Sequence, residues 1–179
     1  MVEFEQRVAE LMSRLPESAG PSRFLGAYLA LRTAEELGYD RDHFRQRPKN
    51  EREHLLSQFA SQRVFDSTES SNEVKEWSAG FYFNDALLRM AALGETSLKD
   101  LYSRSHSGRK APDDYAWLAN WYHATYKFQI GFLTRARHEI NIFKHEPVEG
   151  RKPRKLETMT DGMKAFRDLL QLLEQIAKS

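Results

Sequence analysis

The densest group of chemically useful side chains lies between residues 135 and 145, in the run Arg-Ala-Arg-His-Glu-Ile-Asn-Ile-Phe-Lys-His. On a helical wheel of about 100° per residue, His138 and His145 nearly superimpose, with Asn141 beside them and Arg135 on the other flank. Ala136, Ile140 and Phe143 point almost the opposite way, towards a core. Ile142 interrupts the polar side, which suits a groove or an interface between two copies better than a fully solvated face. An arginine offers a phosphate a fixed fork of donors. A histidine titrates near neutral pH and can take a proton from a ribose 2′-hydroxyl. An asparagine can orient either partner. The set is therefore equipped for RNA, and its plain alternative is a charged helix face in water.

These residues need elements to hold them, and the chain reads as helices throughout. No convincing alternating strand and no Asn-Gly hairpin signal is present. A first helix is expected over 2–15, with Phe4, Val8, Leu11 and Leu15 on one face and Pro16 as its stop. A second runs from Pro21-Ser22 to Leu37 and is capped by Gly38. Residues 39–49 read as irregular or a short helix, and 50–65 as a helix opened by Asn50 and Glu53. A fourth, over 72–93, carries Val74, Trp77, Phe81, Leu88 and Ala91 at helical spacing and ends at Gly94, with a short helix through Leu98 and Leu101 after it. The longest starts at Pro112, with Asp113 and Asp114 in its first turn, and reaches His145. Its stripe is Tyr115, Leu118, Tyr122, Tyr126, Leu133, Ala136, Ile140 and Phe143, and Gly131 is placed to bend it. A basic linker at 146–157 precedes a last helix over about 159–177, with Met163, Phe166, Leu169, Leu170, Leu173 and Ile176. The expected architecture is one all-α domain over 1–179. It is an up-and-down bundle of about five main helices plus short ones.

Composition bounds the function without naming it. The 179 residues suffice for one domain with a real core. Twenty-seven basic against 26 acidic residues give a net charge of +1, which excludes a nucleic-acid binder driven by bulk charge. There is no cysteine, which excludes a disulfide scaffold, a thiolate zinc site and a cysteine nucleophile. The N-terminus has acids where a signal peptide needs a basic start, and no run is apolar enough for a membrane span. A cytoplasmic protein is the expectation, with no cofactor and no membrane partner.

Other signals have plain readings beside their sharp ones. Glu51-x-x-His54 is half of a di-iron helix motif with no second half, and no His-x-x-x-His pair supports zinc. Asn84 falls on the Trp77–Phe81–Leu88 stripe. It is either a satisfied buried amide or, with Asp85, a group facing the His145 cluster. Trp117, Trp121 and Tyr122 could stack bases, although aromatics at helical spacing usually fill a core. The basic loops Arg104–Lys110 and Arg151–Lys155 could touch phosphates or simply be solvated. No phosphate-cradling Gly-rich loop and no Gly-x-Ser-x-Gly is present.

The run Asn141–Glu146, NIFKHE, following an arginine near the end of a long helix in an all-helical chain, resembles the HEPN (higher eukaryotes and prokaryotes nucleotide-binding) superfamily. That resemblance implies a helical bundle, a homodimer, and a polar Arg-to-His motif lining a cleft between protomers. It also implies binding of RNA or nucleotide and, in active members, metal-independent RNA cleavage of toxin or defence type. Carried over, Arg137 matches the arginine and His145 the histidine, with seven residues between them here, and Asn141 and His138 support them. In an active member the histidine acts as base on a 2′-hydroxyl, and the arginine stabilises the charge developing on the adjacent phosphate. The reading from another class is a non-catalytic helical module for protein–protein interaction or assembly.

Overall fold

A computed structural model describes residues 2–39, 68–144 and 158–179, and every regular element in them is a helix. The order is α1 (Val2–Arg14), a 3-10 turn (Glu17–Ala19), α2 (Pro21–Glu36), α3 (Thr68–Ser105), α4 (Tyr115–Tyr126), α5 (Gly131–Lys144) and α6 (Met159–Ile176). The chain is an all-α helical bundle. The expected helix over 50–65 and the basic linker at 146–157 lie outside the described residues.

The long helix α3 is the spine, packing against α2, α4, α5 and α6. Helix α2 buries Phe24, Ala27, Ala30, Leu31 and Ala34, a face whose small side chains let a neighbouring axis come close. Helix α6 buries Gly162, Ala165, Phe166, Leu169, Leu170, Leu172, Leu173 and Ile176 in one stripe, as its periodicity predicts. Phe166 ties three helices together. Its ring stacks on Phe24 at 5.1 Å, meets Tyr28 at 5.5 Å and takes the Phe4 edge at 5.9 Å. Full burial of a side chain of this size contributes about 1.5–3 kcal/mol.

Helix α2 ends as its sequence requires. Gly38 takes φ 71°, its N–H donates to the Glu35 carbonyl, and the Tyr39 N–H donates to the Ala34 carbonyl at 3.0 Å. This is the paired closure that a glycine past a helix end permits.

Four expectations are corrected. Gly94 does not end a helix: α3 runs through it to Ser105. The glycine serves packing instead, because a Cβ there would meet Leu133 Cδ2 of α5 at 2.8 Å. The helix expected over 112–145 is two. Lys127 closes α4 with φ 63°, residues 127–130 connect, and α5 begins at Gly131. Pro112 does not open α4 either. Asp114 is its N-cap and accepts the Trp117 N–H at 3.0 Å. Finally, the inward face of α3 is not the Phe81–Leu88 stripe. Ala91 of that expected stripe is buried, but Phe81 and Leu88 are exposed and Asn84 faces solvent, while Phe83, Ala86, Leu87 and Met90 are buried. Apolar residues occur all round this helix, so spacing alone does not choose the face.

Gly94→Ala and Gly162→Ala are expected to destabilise the fold by about 1–3 kcal/mol each, the usual cost of overpacking. The new methyl at 162 would sit 2.6 Å from Phe83 Cε2, and Leu133 and Phe83 are both fully buried. Denaturant unfolding reads this directly. Stability unchanged or raised, as helix propensity alone would have it, would contradict the close approach.

Candidate functional site

The break between α4 and α5 opens a cleft of about 610 Å³. Asn120 and His123 reach it from α4, Gln129 from the connection, and Thr134, Arg135 and His138 from α5, over a floor of Ala116, Ala119 and Ile130. Arg135 and His138 share one side of α5 because they are three residues apart. No carboxylate lines the cleft among the described residues. Its polar equipment is therefore one guanidinium, two imidazoles, two amides and a hydroxyl, which together suit an anion carrying hydrogen-bonding groups.

Several contacts fix this arrangement. The Arg135 guanidinium lies 4.9 Å from the Phe132 ring centroid, and Lys164 Nζ lies at 4.9 Å from the same ring. His123 Nδ1 is 3.2 Å from the Phe128 carbonyl oxygen, which holds the imidazole against the connection. The Thr134 hydroxyl donates to the Ile130 carbonyl at 2.8 Å. The first turn of α5 has amide hydrogens with no partner within the helix. Asp168 of α6 supplies one: its Oδ2 accepts the Phe132 N–H at 2.8 Å and the Leu133 N–H at 3.1 Å. Burial pushes the Asp168 carboxyl up to about 6, although both amide hydrogen bonds pull the other way.

The sequence-expected residues divide. His138 lines the cleft and is exposed. Arg137, two residues from Arg135, points elsewhere. Its Nε donates to Glu95 of α3 at 2.9 Å, and its guanidinium lies 4.4 Å from the Tyr115 ring centroid of α4. Glu95 also holds Lys99 at 3.2 Å, and Lys99 holds Asp113 at 3.1 Å. Burial acts to raise the Glu95 carboxyl, but the Arg137 and Lys99 hydrogen bonds outweigh it and hold the group below its ordinary value. Arg137 thus ties α5 to α3. The backbone of Asn141 lies in α5, whereas its side chain and all of His145 lie outside the described residues. Asn120 and Gln129 were not singled out from sequence. They become neighbours of His138 only through the break at Lys127, which no local glycine or proline announces before Gly131.

Asp168→Ala leaves the Phe132 and Leu133 amides without their acceptor and is expected to cost about 1–3 kcal/mol. The native carboxyl titrates near 6, above its ordinary 3.8. The native state thus binds this proton more tightly than the unfolded chain. Through this group stability is greatest in acid and declines as pH rises from about 4 through 6. Asp168→Asn should remove that decline from a pH series of unfolding measurements, and its persistence would contradict the assignment. No protein-family model, no curated protein and no solved structure matches this chain.

Proposed function

We propose that the protein binds RNA or a nucleotide in the cleft between α4 and α5, with Arg135 on a phosphate and His123 and His138 beside it. The observation that carries this reading is the lining itself. An arginine, two histidines and two amides converge on one open cleft with no carboxylate among its described lining residues. A phosphate gains a charge-assisted, forked contact from the guanidinium. The amides of Asn120 and Gln129 offer both donors and acceptors, which suits a base edge or a ribose hydroxyl. The resemblance to the HEPN superfamily supports the same ligand class. It also extends the proposal to metal-independent cleavage within a cytoplasmic homodimer, with Arg137, Asn141, His138 and His145 as the reacting set.

Binding and cleavage make separate demands on α5. Binding rests on Arg135 and His138. Cleavage through Arg137 requires that its guanidinium leave Glu95 for a phosphate, which costs the ion pair and the stacking on Tyr115. The second reading, a non-catalytic assembly module, draws on the same ion pair and on the exposed apolar residues Leu25, Leu29, Phe81 and Leu88 of α2 and α3. Among the described residues no helix is long and apolar enough to cross a membrane.

Two assays separate these outcomes. Arg135→Ala is expected to weaken nucleotide or RNA binding about tenfold or more and to reduce the salt slope by about one, the signature of one lost phosphate contact. Equal affinity and an equal salt slope in the variant would overturn the binding reading. For cleavage, a mixed RNA pool in EDTA should yield cyclic phosphate ends with the wild type but not with Arg137→Ala/His145→Ala. No cleavage by either, or equal cleavage by both, would leave the binding module alone.

A further inference from the structure

Beside the cleft, α4 carries a second surface. Trp117 is 45% exposed. It stands three residues from Asn120 of the cleft, so the two side chains are neighbours on the helix surface. The Trp117 ring meets Tyr102 of α3 edge-on at 5.6 Å. The His106 imidazole stacks on Tyr102 at 4.0 Å and 17°. Trp121 closes the group, 5.1 Å from Tyr102 and 5.7 Å from His106. Tyr102 is itself buried, so the exposed Trp117 is backed by a fixed aromatic wall. Its indole is thereby presented with little freedom left to lose on binding.

The turn beside this wall is basic. The turn after α3 folds back through positive φ at Ser107 (53°) and Gly108 (82°), and carries His106, Arg109 and Lys110, all exposed. The nearby acids are already engaged. Asp100 holds Arg104, Asp113 holds Lys99, and Asp114 caps α4. Arg109 and Lys110 add two exposed cations beside them, and the Lys110 charge also bears on Asp113. An exposed rigid aromatic next to cations is a place for a base to stack while its phosphates lie on the basic turn. Duplex bases are already stacked on one another and cannot use it.

Resting on the ligand class proposed above, we infer that the ligand of the cleft is single-stranded RNA rather than a lone nucleotide. Its chain runs from Arg135 and His138 over Trp117 to Arg109 and Lys110. One nucleotide occupies the cleft, and at least one further base stacks on the Trp117 indole. Trp117 and the basic turn set the preference for length and for single strands. The cleft holds the nucleotide nearest Arg135.

The test is a binding series with the full chain: a 5′-mononucleotide, a single-stranded RNA of about ten residues, and the corresponding duplex. The expected result is tighter binding to the single strand than to either other probe. Trp117→Ala should weaken single-strand binding about five- to a hundredfold, the loss of one base stack. It should leave mononucleotide binding as in the wild type, and Trp117→Phe should restore part of the difference. Arg109→Ala/Lys110→Ala should weaken only the oligonucleotide and flatten its salt dependence. Trp117 is half solvated, and a matched melting curve confirms that each variant is folded. Equal affinity for mononucleotide and oligonucleotide, preference for duplex, or no effect of Trp117→Ala would overturn this inference while leaving the cleft reading intact. No binding of any probe would overturn both.

Discussion

Asp168 belongs to α6, yet its carboxylate closes the first turn of α5. The amide hydrogens at a helix start need acceptors, and the residues just before α5 supply no side-chain cap of their own. An acceptor brought from 36 residues away in sequence therefore helps set where α5 begins. Once α5 begins at Gly131, residues 127–130 must turn between it and α4, and the two helices diverge around an open cleft. The same contact anchors α5 on α6, whose Phe166 locks α1 and α2 into the bundle. One partly buried carboxylate thus links core to cleft. The cost is a carboxyl held near 6 in a site that would rather be neutral.

Close packing completes the frame. Gly94 lets Leu133 of α5 press onto α3, one turn from Arg137, which clasps Glu95 on the same helix. The two sides of α5 are thereby divided between two jobs. Leu133, Ala136 and Arg137 face the bundle and fasten the helix, while Thr134, Arg135 and His138 face the cleft. Two arginines two positions apart thus point different ways, one tied to Glu95 of α3 and one lining the cleft.

Much of the fold was legible in the sequence because its signals are local. The stripe of α6, the Gly38 closure of α2 and the Val8–Leu11–Leu15 face of α1 all follow from periodicity and caps. What failed depends on distant partners. The apolar stripe from Tyr115 to Ala136 keeps helical spacing across the break, and Leu118, Tyr122 and Leu133 are indeed buried. Nothing within it reveals that Lys127 turns left-handed or that Asp168 restarts the helix. Gly94 carried the local signature of a helix end, but its use is tertiary. Of the cleft lining, His138 and Arg135 both belong to the polar side that the helical wheel marks. Asn120, His123 and Gln129 join them only through the turn at 127–130. Arg137 has the chemistry of a phosphate binder, but Glu95, 42 residues earlier, gives it a partner that no local pattern reveals.

The most direct test is an NMR titration of isotopically labelled protein with a short single-stranded RNA. Saturable shifts should appear on Asn120, His123, Gln129, Thr134, Arg135 and His138, the polar residues that line the cleft, and extend to Trp117, Arg109 and Lys110. Shifts that do not saturate, or that gather instead on the exposed Leu29 of α2 and Phe81 and Leu88 of α3, would contradict the claim that the α4–α5 cleft is the ligand site.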